Sequence, residues 1–314
     1  MREVISHLDP SFLLRKAWVD LKQGVGLSVR GDKRHFCDRI FLGVTSGLIS
    51  PDSCLAASFR RDGFGSQVLS RLSVQATAAV IGLKYVHRPF REIAHAEHGD
   101  WVSCCEDYFR LSDHPSCVQS NLPAIGLFDF VRSPKIWKEP HIIEVPHMYA
   151  ITDRIPEAFR RCIPARAEHK FGKVVRVGIH IRRGDVSEAQ TRDRFVSANV
   201  YLRRIESVRK VLLSLNLDPE IHIYSNGTEE EFEQLSKAGV ELHLTLGAIE
   251  TMSDLIKSDI ILTAKSTFSY VAGLFNPGIV VYDDFARSPL PEWMRLNRGV
   301  LNEGELYRRL LGRI

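Results

Sequence analysis

Residues 174–185 read Val174-Val175-Arg176-Val177-Gly178-Ile179-His180-Ile181-Arg182-Arg183-Gly184-Asp185. Continuous Val/Ile runs are typical of parallel strands that are covered on both faces, so this stretch predicts a buried strand over 174–181. Ligands of open α/β sheets bind just beyond the carboxyl ends of such strands. The stretch therefore indicates a strand that ends at a ligand site.

Two adjacent arginines, Arg182 and Arg183, follow the predicted strand. A guanidinium is a planar fork that matches phosphate oxygens and stays charged at any working pH. The pair is therefore a candidate clamp for a diphosphate. A surface ion pair with Asp185 accounts for the same residues without any ligand, and the local sequence leaves both interpretations open.

Strands and helices alternate from residue 172 onward. The predicted strands are 174–181, 221–225, 240–246, 259–264 and 279–282, and the predicted helices are 199–214, 229–238, 249–258 and 267–275. Thr228 and Glu231 form a capping box for the second helix, and Gly239 is placed as its C-cap. Alternation at these lengths predicts a mainly parallel sheet in a doubly wound α/β domain.

The first half of the chain is less regular. A strand over 54–59, a helix over 66–82 and a strand over 85–87 are predicted, and an amphipathic helix is predicted near 11–22. Residues 92–140 carry Pro, Gly, His and Ser with little periodicity, which predicts loops that form a variable surface. We expect acceptor recognition there.

A chain of 314 residues exceeds the usual size of one hydrophobic core, so two domains are expected. The segment 163–170 contains Pro and several charges and is the best candidate linker. The predicted domains are residues 1–165 on the N-terminal side and residues 166–314 on the C-terminal side.

Composition narrows the class of function. The net charge of +4 fits an anionic ligand, and the basic residues occur in short pairs rather than in a long run, so nucleic-acid binding is not indicated. The apolar window 40–49 is shorter than the roughly 20 residues of a membrane span. The first residues also lack the pattern of a signal peptide, so a cytoplasmic protein without a membrane segment is expected.

Six cysteines without C-x-x-C spacing predict reduced thiols. A zinc site formed by His95, His98, Cys104 and Cys105 would match no standard spacing.

Two further loops lie between a predicted strand and a predicted helix. The glycine loop reads Arg60-Arg61-Asp62-Gly63-Phe64-Gly65-Ser66-Gln67, and the serine loop reads Lys265-Ser266-Thr267-Phe268-Ser269-Tyr270. Glycines permit close backbone approach, and hydroxyls with helix N–H groups suit an anion. Ser266 and Thr267 are equally ordinary as N-caps. The chain has neither the third glycine of a dinucleotide motif nor a P-loop.

Together these three segments resemble the motifs of the GDP-fucose fucosyltransferase superfamily, which includes α1,2-, α1,6- and protein O-fucosyltransferases. Residues 180–185 resemble its H-x-R-R-x-D motif, the serine loop resembles its late Ser-Ser-Phe-Ser motif, and residues 63–67 resemble its G-x-G-N-Q loop. The resemblance spans about residues 54 to 285. It implies a GT-B fold of two Rossmann-like domains with a cleft between them, and inverting transfer of fucose that requires no metal or other cofactor.

The resemblance also implies roles for individual residues. Arg182 is expected to hold the β-phosphate and stabilise the leaving GDP, a contribution of about 3 kcal/mol per donor. His180 is expected near the guanosine, Arg183 as a brace of the loop, and Asp185 on an arginine or a sugar hydroxyl. The remaining donor-binding residues that the resemblance implies are Gly63, Gly65, Gln67, Ser266, Thr267 and Phe268. Ser66 and Thr267 depart from the family's usual Asn and Ser.

No carboxylate is marked by its motif as the general base. Glu188 and Asp193 follow the clamp closely, and Asp62 lies in the glycine loop. We take Glu188 as the candidate. Asp283-Asp284 does not form an Asp-x-Asp that would place a metal on the diphosphate.

The sequence thus predicts a fucosyltransferase-like enzyme of polysaccharide biosynthesis that binds a nucleotide-sugar donor and a glycan acceptor. A GT-B glycosyltransferase with another nucleotide sugar, and a non-catalytic nucleotide- or glycan-binding protein of the same fold, remain as alternatives.

Overall fold

The computed structural model describes residue 40 and residues 43–94, 97–147, 150, 156–163, 169–189 and 191–314. The helix predicted near 11–22 and residue His95 lie outside this set. Contacts divide the chain into two compact units. Unit 1 holds the described residues within Met1–Arg60, Ser70–Arg91 and Phe109–Cys162, and unit 2 holds those within Arg61–Leu69, Glu92–Tyr108 and Ile163–Ile314.

The change of unit at Cys162 lies close to the predicted boundary at residue 165, but two segments differ from that prediction. Arg61–Leu69 and Glu92–Tyr108, predicted with the N-terminal domain, belong to unit 2. They are joined to each other, since Gly63 and Ala94 form a parallel bridge. A single domain boundary in the sequence cannot describe this division, because two segments from the first half of the chain pack with the C-terminal unit.

Unit 1 contains a four-stranded sheet in the order β2-β1-β4-β3, in which every pair is parallel. Its elements, in chain order, are β1 (Cys54–Ala57), α1 (Phe64–Ile81, of which the start belongs to unit 2), β2 (Lys84–Tyr85), α2 (Trp101–Phe109, mostly in unit 2), β3 (Ala124–Gly126), α3 (Leu127–Arg132) and β4 (Ile142–Val145). Leu55, Tyr85, Phe130 and Ile143 are fully buried in its core.

Unit 2 contains a six-stranded sheet in the order β10-β9-β8-β5-β6-β7, again with every pair parallel. Its strands are β5 (Val174–His180), β6 (Asp218–Tyr224), β7 (Glu241–His243), β8 (Ile260–Leu262), β9 (Ile279–Tyr282) and β10 (Met294–Arg295). Its helices are α4 (Ala198–Ser214), α5 (Glu229–Ser236), α6 (Ala248–Lys257), α7 (Thr267–Phe275) and α8 (Glu303–Leu311). This is the strand order of a Rossmann sheet, which confirms the predicted α/β class.

Local signals in the C-terminal half proved accurate. The helix over 267–275 and the strand over 279–282 have the predicted bounds. The capping box at the start of α5 is formed, with the Thr228 amide donating to Glu231 Oε2 at 2.9 Å. Gly239, predicted as the C-cap of α5, lies two residues after the observed C-cap Lys237, in the turn that follows the helix, where its φ is +67°. Val177, Ile179 and Ile223 are fully buried, as expected for a sheet covered on both faces.

Several short elements were not predicted. Residues 92–140, predicted as loops, contain α2, β3 and α3, and β4, β10 and α8 were also missed. Most of these elements are too short to show a clear period: β3 has three residues, β4 four, β10 two and α3 six. In α2 only Trp101 and Cys105 are buried. The five described cysteines are free thiols, as predicted. None of the described helices combines the length and apolar character of a membrane span.

Candidate functional site

The strand order of unit 2 places two of the three motifs side by side. β5 and β8 are neighbours at the point where the order of strands reverses. The segment 180–185, called the clamp from here on, begins at the last residue of β5, and the serine loop follows β8. In open α/β sheets the crevice beyond this switch point is where ligands bind.

Arg182 is held at the switch point by two partners. Its Nε donates to Asp185 Oδ1 at 3.0 Å, and its Nη2 donates to Oδ2 at 2.5 Å. Its Nη1 donates to Ser266 Oγ at 3.3 Å. The ion pair that the sequence left open is therefore present, and it orients the guanidinium towards the serine loop. These bonds use three of the five N–H donors of the group, which leaves two for an anion.

Arg183 is buried and faces the protein interior, with 4% of its side chain exposed. Its Nη1 donates to the Arg182 carbonyl at 2.9 Å, and its Nη2 donates to the Val196 carbonyl at 2.8 Å. Its guanidinium also lies over the ring of Phe195, 4.5 Å from the centroid. Arg183 therefore braces the clamp from within, and in the described part of the chain it forms no hydrogen bond or ion pair with the glycine loop or the serine loop.

Gly184 allows the clamp to turn sharply. Its φ is +74°, a conformation that favours glycine, and a Cβ there would lie 2.5 Å from Asn226 Nδ2. Asn226 belongs to the loop after β6, so this glycine lets two neighbouring strand ends approach closely. In the same loop, the Gly227 amide donates to Ser225 Oγ at 3.2 Å.

Helix α7 begins within the serine loop. Ser266 is its N-cap, and its Oγ accepts a hydrogen bond from the Phe268 amide at 3.2 Å. The first turn of α7 carries no acidic side chain, so the positive end of its dipole is not neutralised there. Ser266 thus caps α7 and also accepts a hydrogen bond from Arg182, whereas its contact with an anion stays a prediction.

The glycine loop brings the start of α1 against the start of α7. Ser66 Oγ lies 3.0 Å from Thr267 Oγ1. A Cβ on Gly65 would lie 2.6 Å from Phe268 Cα and 2.8 Å from its amide nitrogen, so the two backbones touch. The first turn of α1 is also free of acidic residues. All these residues belong to unit 2.

Two helix N-termini and Arg182 therefore surround one region at the sheet's switch point. Backbone N–H groups and the helix dipole at such ends favour negative charge. An arginine adds a charge-assisted, planar donor set. The arrangement is suited to an anion with several oxygens, such as a diphosphate.

Gln67 and Gly63 have different surroundings within the glycine loop. Gln67 is fully buried, and its Nε2 donates to the carbonyls of Asp62 at 2.9 Å and Glu92 at 2.6 Å. A Cβ on Gly63 would meet no atom within 4 Å. Of the two predicted loop glycines, Gly65 is therefore the one that close approach requires, and Gln67 acts by holding the loop in place.

His180 lies at the end of β5 with its ring against that of Phe268, at a centroid distance of 5.2 Å. Its Nδ1 is buried and has no hydrogen-bond partner among the described residues. Burial, with a smaller contribution from the charge of Arg182, lowers the pKa of His180 to about 3. The imidazole is therefore neutral near pH 7, with one nitrogen able to accept a hydrogen bond.

The candidate base Glu188 is exposed and lines a concavity of about 880 Å³ in unit 2, together with Arg192 and Lys265. Lys265 Nζ donates to the Asp193 carbonyl at 2.9 Å, which ties the loop after the clamp to the serine loop. Glu188 makes no described contact with Arg182, so its role as base stays a prediction.

Each of the two aspartates after β9 forms an ion pair with an arginine. Asp283 is buried, and its Oδ2 accepts from Arg204 Nη2 at 2.9 Å. Asp284 is exposed and pairs with Arg295 at 2.9 Å. Sequence reasoning missed the Arg204–Asp283 pair, because neither residue has a local pattern that names its partner.

Comparisons with known proteins complete the description of the site. No protein-family model matches the chain, and no curated protein does. The structure is similar to NodZ alpha-1,6-fucosyltransferase soaked with GDP-fucose (15% identity, 72% of this chain and 93% of that chain, TM-score 0.42). It is also similar to E. coli heptosyltransferase WaaC with ADP (11% identity, 83% of this chain and 100% of that chain, TM-score 0.40). A third similar structure is POFUT1 in complex with GDP-fucose (15% identity, 76% of this chain and 99% of that chain, TM-score 0.38).

Proposed function

We propose that the protein is a glycosyltransferase that moves fucose from GDP-fucose to a hydroxyl of a glycan acceptor, with inversion and without a metal. The observation that carries the proposal is the convergence of Arg182 with the N-termini of α1 and α7 at the switch point of a Rossmann sheet. The motif resemblance described above supports the choice of GDP and fucose.

In the proposed reaction, the acceptor oxygen forms a bond to C1 of fucose while the bond from C1 to the β-phosphate oxygen breaks. Negative charge then grows on the leaving GDP. Arg182 and the first amides of α7 are placed to stabilise that charge, which is the largest contribution that most active sites make. Because these groups are already held by Asp185 and Ser266, little reorganisation is needed.

The proton of the acceptor hydroxyl must pass to a base. We assign this role to Glu188, an exposed carboxylate shortly after the clamp in the chain. Its position beside the 880 Å³ concavity would let it meet a bulky sugar. The neutral His180, packed on Phe268, would accept a hydrogen bond from the nucleoside.

The charges that the chain supplies support the proposal of metal independence. Arg182 and two helix ends offer positive potential to the diphosphate. The buried carboxylate after β9 is neutralised by Arg204, and its exposed neighbour is paired with Arg295. We infer that these aspartates do not hold a metal on the donor.

The first test is calorimetric titration of the full chain with GDP, UDP and ADP in the presence of EDTA. Selective binding of GDP supports the donor assignment. Equal binding of all three nucleotides, or none, contradicts it and returns the choice to a glycosyltransferase with another donor.

A transfer assay with GDP-fucose and a panel of glycan acceptors then separates an enzyme from a binding protein. Release of GDP that depends on the acceptor supports transfer. Binding of GDP with neither transfer nor hydrolysis would favour the non-catalytic reading.

A further inference from the structure

Strands β6 and β7 carry a cluster of metal-binding side chains outside the candidate site. His222 pairs with Glu241 across the two strands, and Tyr224 pairs with His243. Residues opposite one another and two apart share one face of a sheet. His222, Glu241 and His243 therefore project from the same face, at the edge of the sheet.

The candidate ligand atoms of the three side chains lie close together. His222 Nδ1 is 3.0 Å from His243 Nε2. Glu241 places Oε2 at 3.4 Å from the first nitrogen and Oε1 at 3.4 Å from the second. In a tetrahedral site with bonds of about 2.0–2.2 Å, ligand atoms are separated by roughly 3.3 Å. The cluster has nearly that spacing before any ion is added.

A second carboxylate fixes the tautomer of His222. This carboxylate belongs to Glu220, whose Oε1 accepts a hydrogen bond from His222 Nε2 at 2.6 Å. The lone pair of His222 Nδ1 is then directed at the cluster. Histidines that bind metals usually donate their other ring N–H to a carboxylate in this way. The pattern of two histidines, one carboxylate ligand and one outer carboxylate is thus complete on adjacent strands.

The rings are also held in place. The ring of Tyr224 stacks on His243 at 4.7 Å with an angle of 11°, and its hydroxyl accepts from Arg176 Nη2 at 3.0 Å. His222 is buried.

We propose that His222, Glu241 and His243 form a site for a late first-row divalent cation, of which zinc is the best match. Two imidazoles and a carboxylate suit zinc, whereas magnesium and calcium prefer oxygen ligands. Glu241 is solvent-exposed, so a fourth position is open to water. Bound zinc would crosslink the three-residue edge strand β7 to its neighbour β6.

A second cluster, His98, Asp100 and Cys104, provides an internal comparison. These residues lie in and just before α2, and His98 already contacts Asp100 in an exposed pair. It offers one imidazole and a thiol, without the outer carboxylate found at His222. A thiolate ligand would also give a bound cobalt ion a distinct spectrum, so the two clusters can be told apart.

The test is calorimetric titration of the EDTA-treated full chain with zinc chloride. We expect one zinc per chain in the wild type and in His98→Gln. Loss of a ligand in His243→Gln should abolish this binding, Glu241→Gln should weaken it at least about 10-fold, and Glu220→Gln should weaken it about 10-fold or more. Circular dichroism without zinc checks that each variant is folded.

Cobalt(II) substitution supplies a second readout. We expect visible ligand-field bands without a sulfur charge-transfer band, and their loss in His243→Gln. Absence of stoichiometric zinc binding would overturn the proposal, because a proton shared between His222 and His243 would then explain their contact. Binding that persists in His243→Gln and disappears in His98→Gln would also overturn it.

Discussion

Arg182 and Arg183 are adjacent in the chain, yet their guanidinium groups face opposite surroundings. Arg182 is partly exposed and is oriented by Asp185 and Ser266. Arg183 is buried among loop carbonyls and the ring of Phe195. At the scale of the residue, one arginine is available to a ligand and the other supports the loop that presents it.

Replacement of Arg182 by Ala should remove GDP binding and lower the rate of transfer by about 10²- to 10³-fold, since a donor to the developing charge is lost. Its thermal unfolding should change little, because the group is near the surface. The matched variant Arg183→Ala should unfold at a clearly lower temperature, because buried carbonyls lose their donor. Wild-type transfer in Arg182→Ala would contradict the mechanism.

Replacement of Gly65 by Ala places a methyl group against the backbone of Phe268. We expect a loss of about 1–3 kcal/mol in the free energy of unfolding and a weaker affinity for GDP. Gly63→Ala is the control, because open space surrounds that position. Calorimetry and chemical denaturation of both variants measure the difference; equal behaviour of the two would show that the close approach is unimportant.

His180 should make stability depend on pH. Its pKa is lowered from 6.5 to about 3 in the folded protein, so the unfolded chain binds more protons between those values. Stability therefore rises with pH across that window and is fully present above about pH 6.5. The slope of unfolding free energy against pH, measured from pH 4 to 7, should be smaller in His180→Gln. An unchanged slope would mean that folding does not lower the pKa of His180.

At the scale of the element, α5 and α7 begin with comparable caps but differ in what lies next to them. Thr228 caps α5 through its box with Glu231. Ser266 caps α7 and also accepts a hydrogen bond from Arg182. The start of α7 therefore contacts Arg182, the partly exposed arginine of the clamp, whereas the start of α5 contacts only the buried Arg183, whose Nε lies 3.9 Å from Glu231 Oε1.

Ser266→Ala and Thr228→Ala should each lower the free energy of unfolding by about 1 kcal/mol, the usual effect of losing a cap. We expect only Ser266→Ala to reduce GDP affinity, because it also releases Arg182. Denaturation and GDP titration of both variants measure the two effects separately. A similar decrease in GDP affinity in Thr228→Ala would indicate a general loss of structure instead.

At the scale of the molecule, unit 2 is tied together by the buried pair of Arg204 and Asp283. Arg204 lies in α4, and Asp283 follows β9. Arg204 Nε also donates to the Gly299 carbonyl at 3.0 Å, in the segment between β10 and α8. One guanidinium thus joins three parts of the unit that are far apart in sequence.

Asp283→Asn should lower the free energy of unfolding by about 3–5 kcal/mol, because it leaves the Arg204 charge buried without compensation. Asp284→Asn, which breaks an exposed pair with Arg295, should cost no more than about 1 kcal/mol. Urea denaturation of the two variants makes the comparison. Equal effects would show that the buried pair is well solvated.

The sequence by itself determined the α/β class, the C-terminal series of strands and helices, the box at Thr228 and the three loops that carry polar chemistry. These features are local, since periodicity, caps and strand-end residues depend on neighbours within a few positions. Only the tertiary structure decided that Gly65 and Ser66 meet α7, that Arg183 faces inward, and that His222 and His243 converge. Those contacts join residues up to about two hundred positions apart, and they depend on strand order and register, which no local pattern specifies.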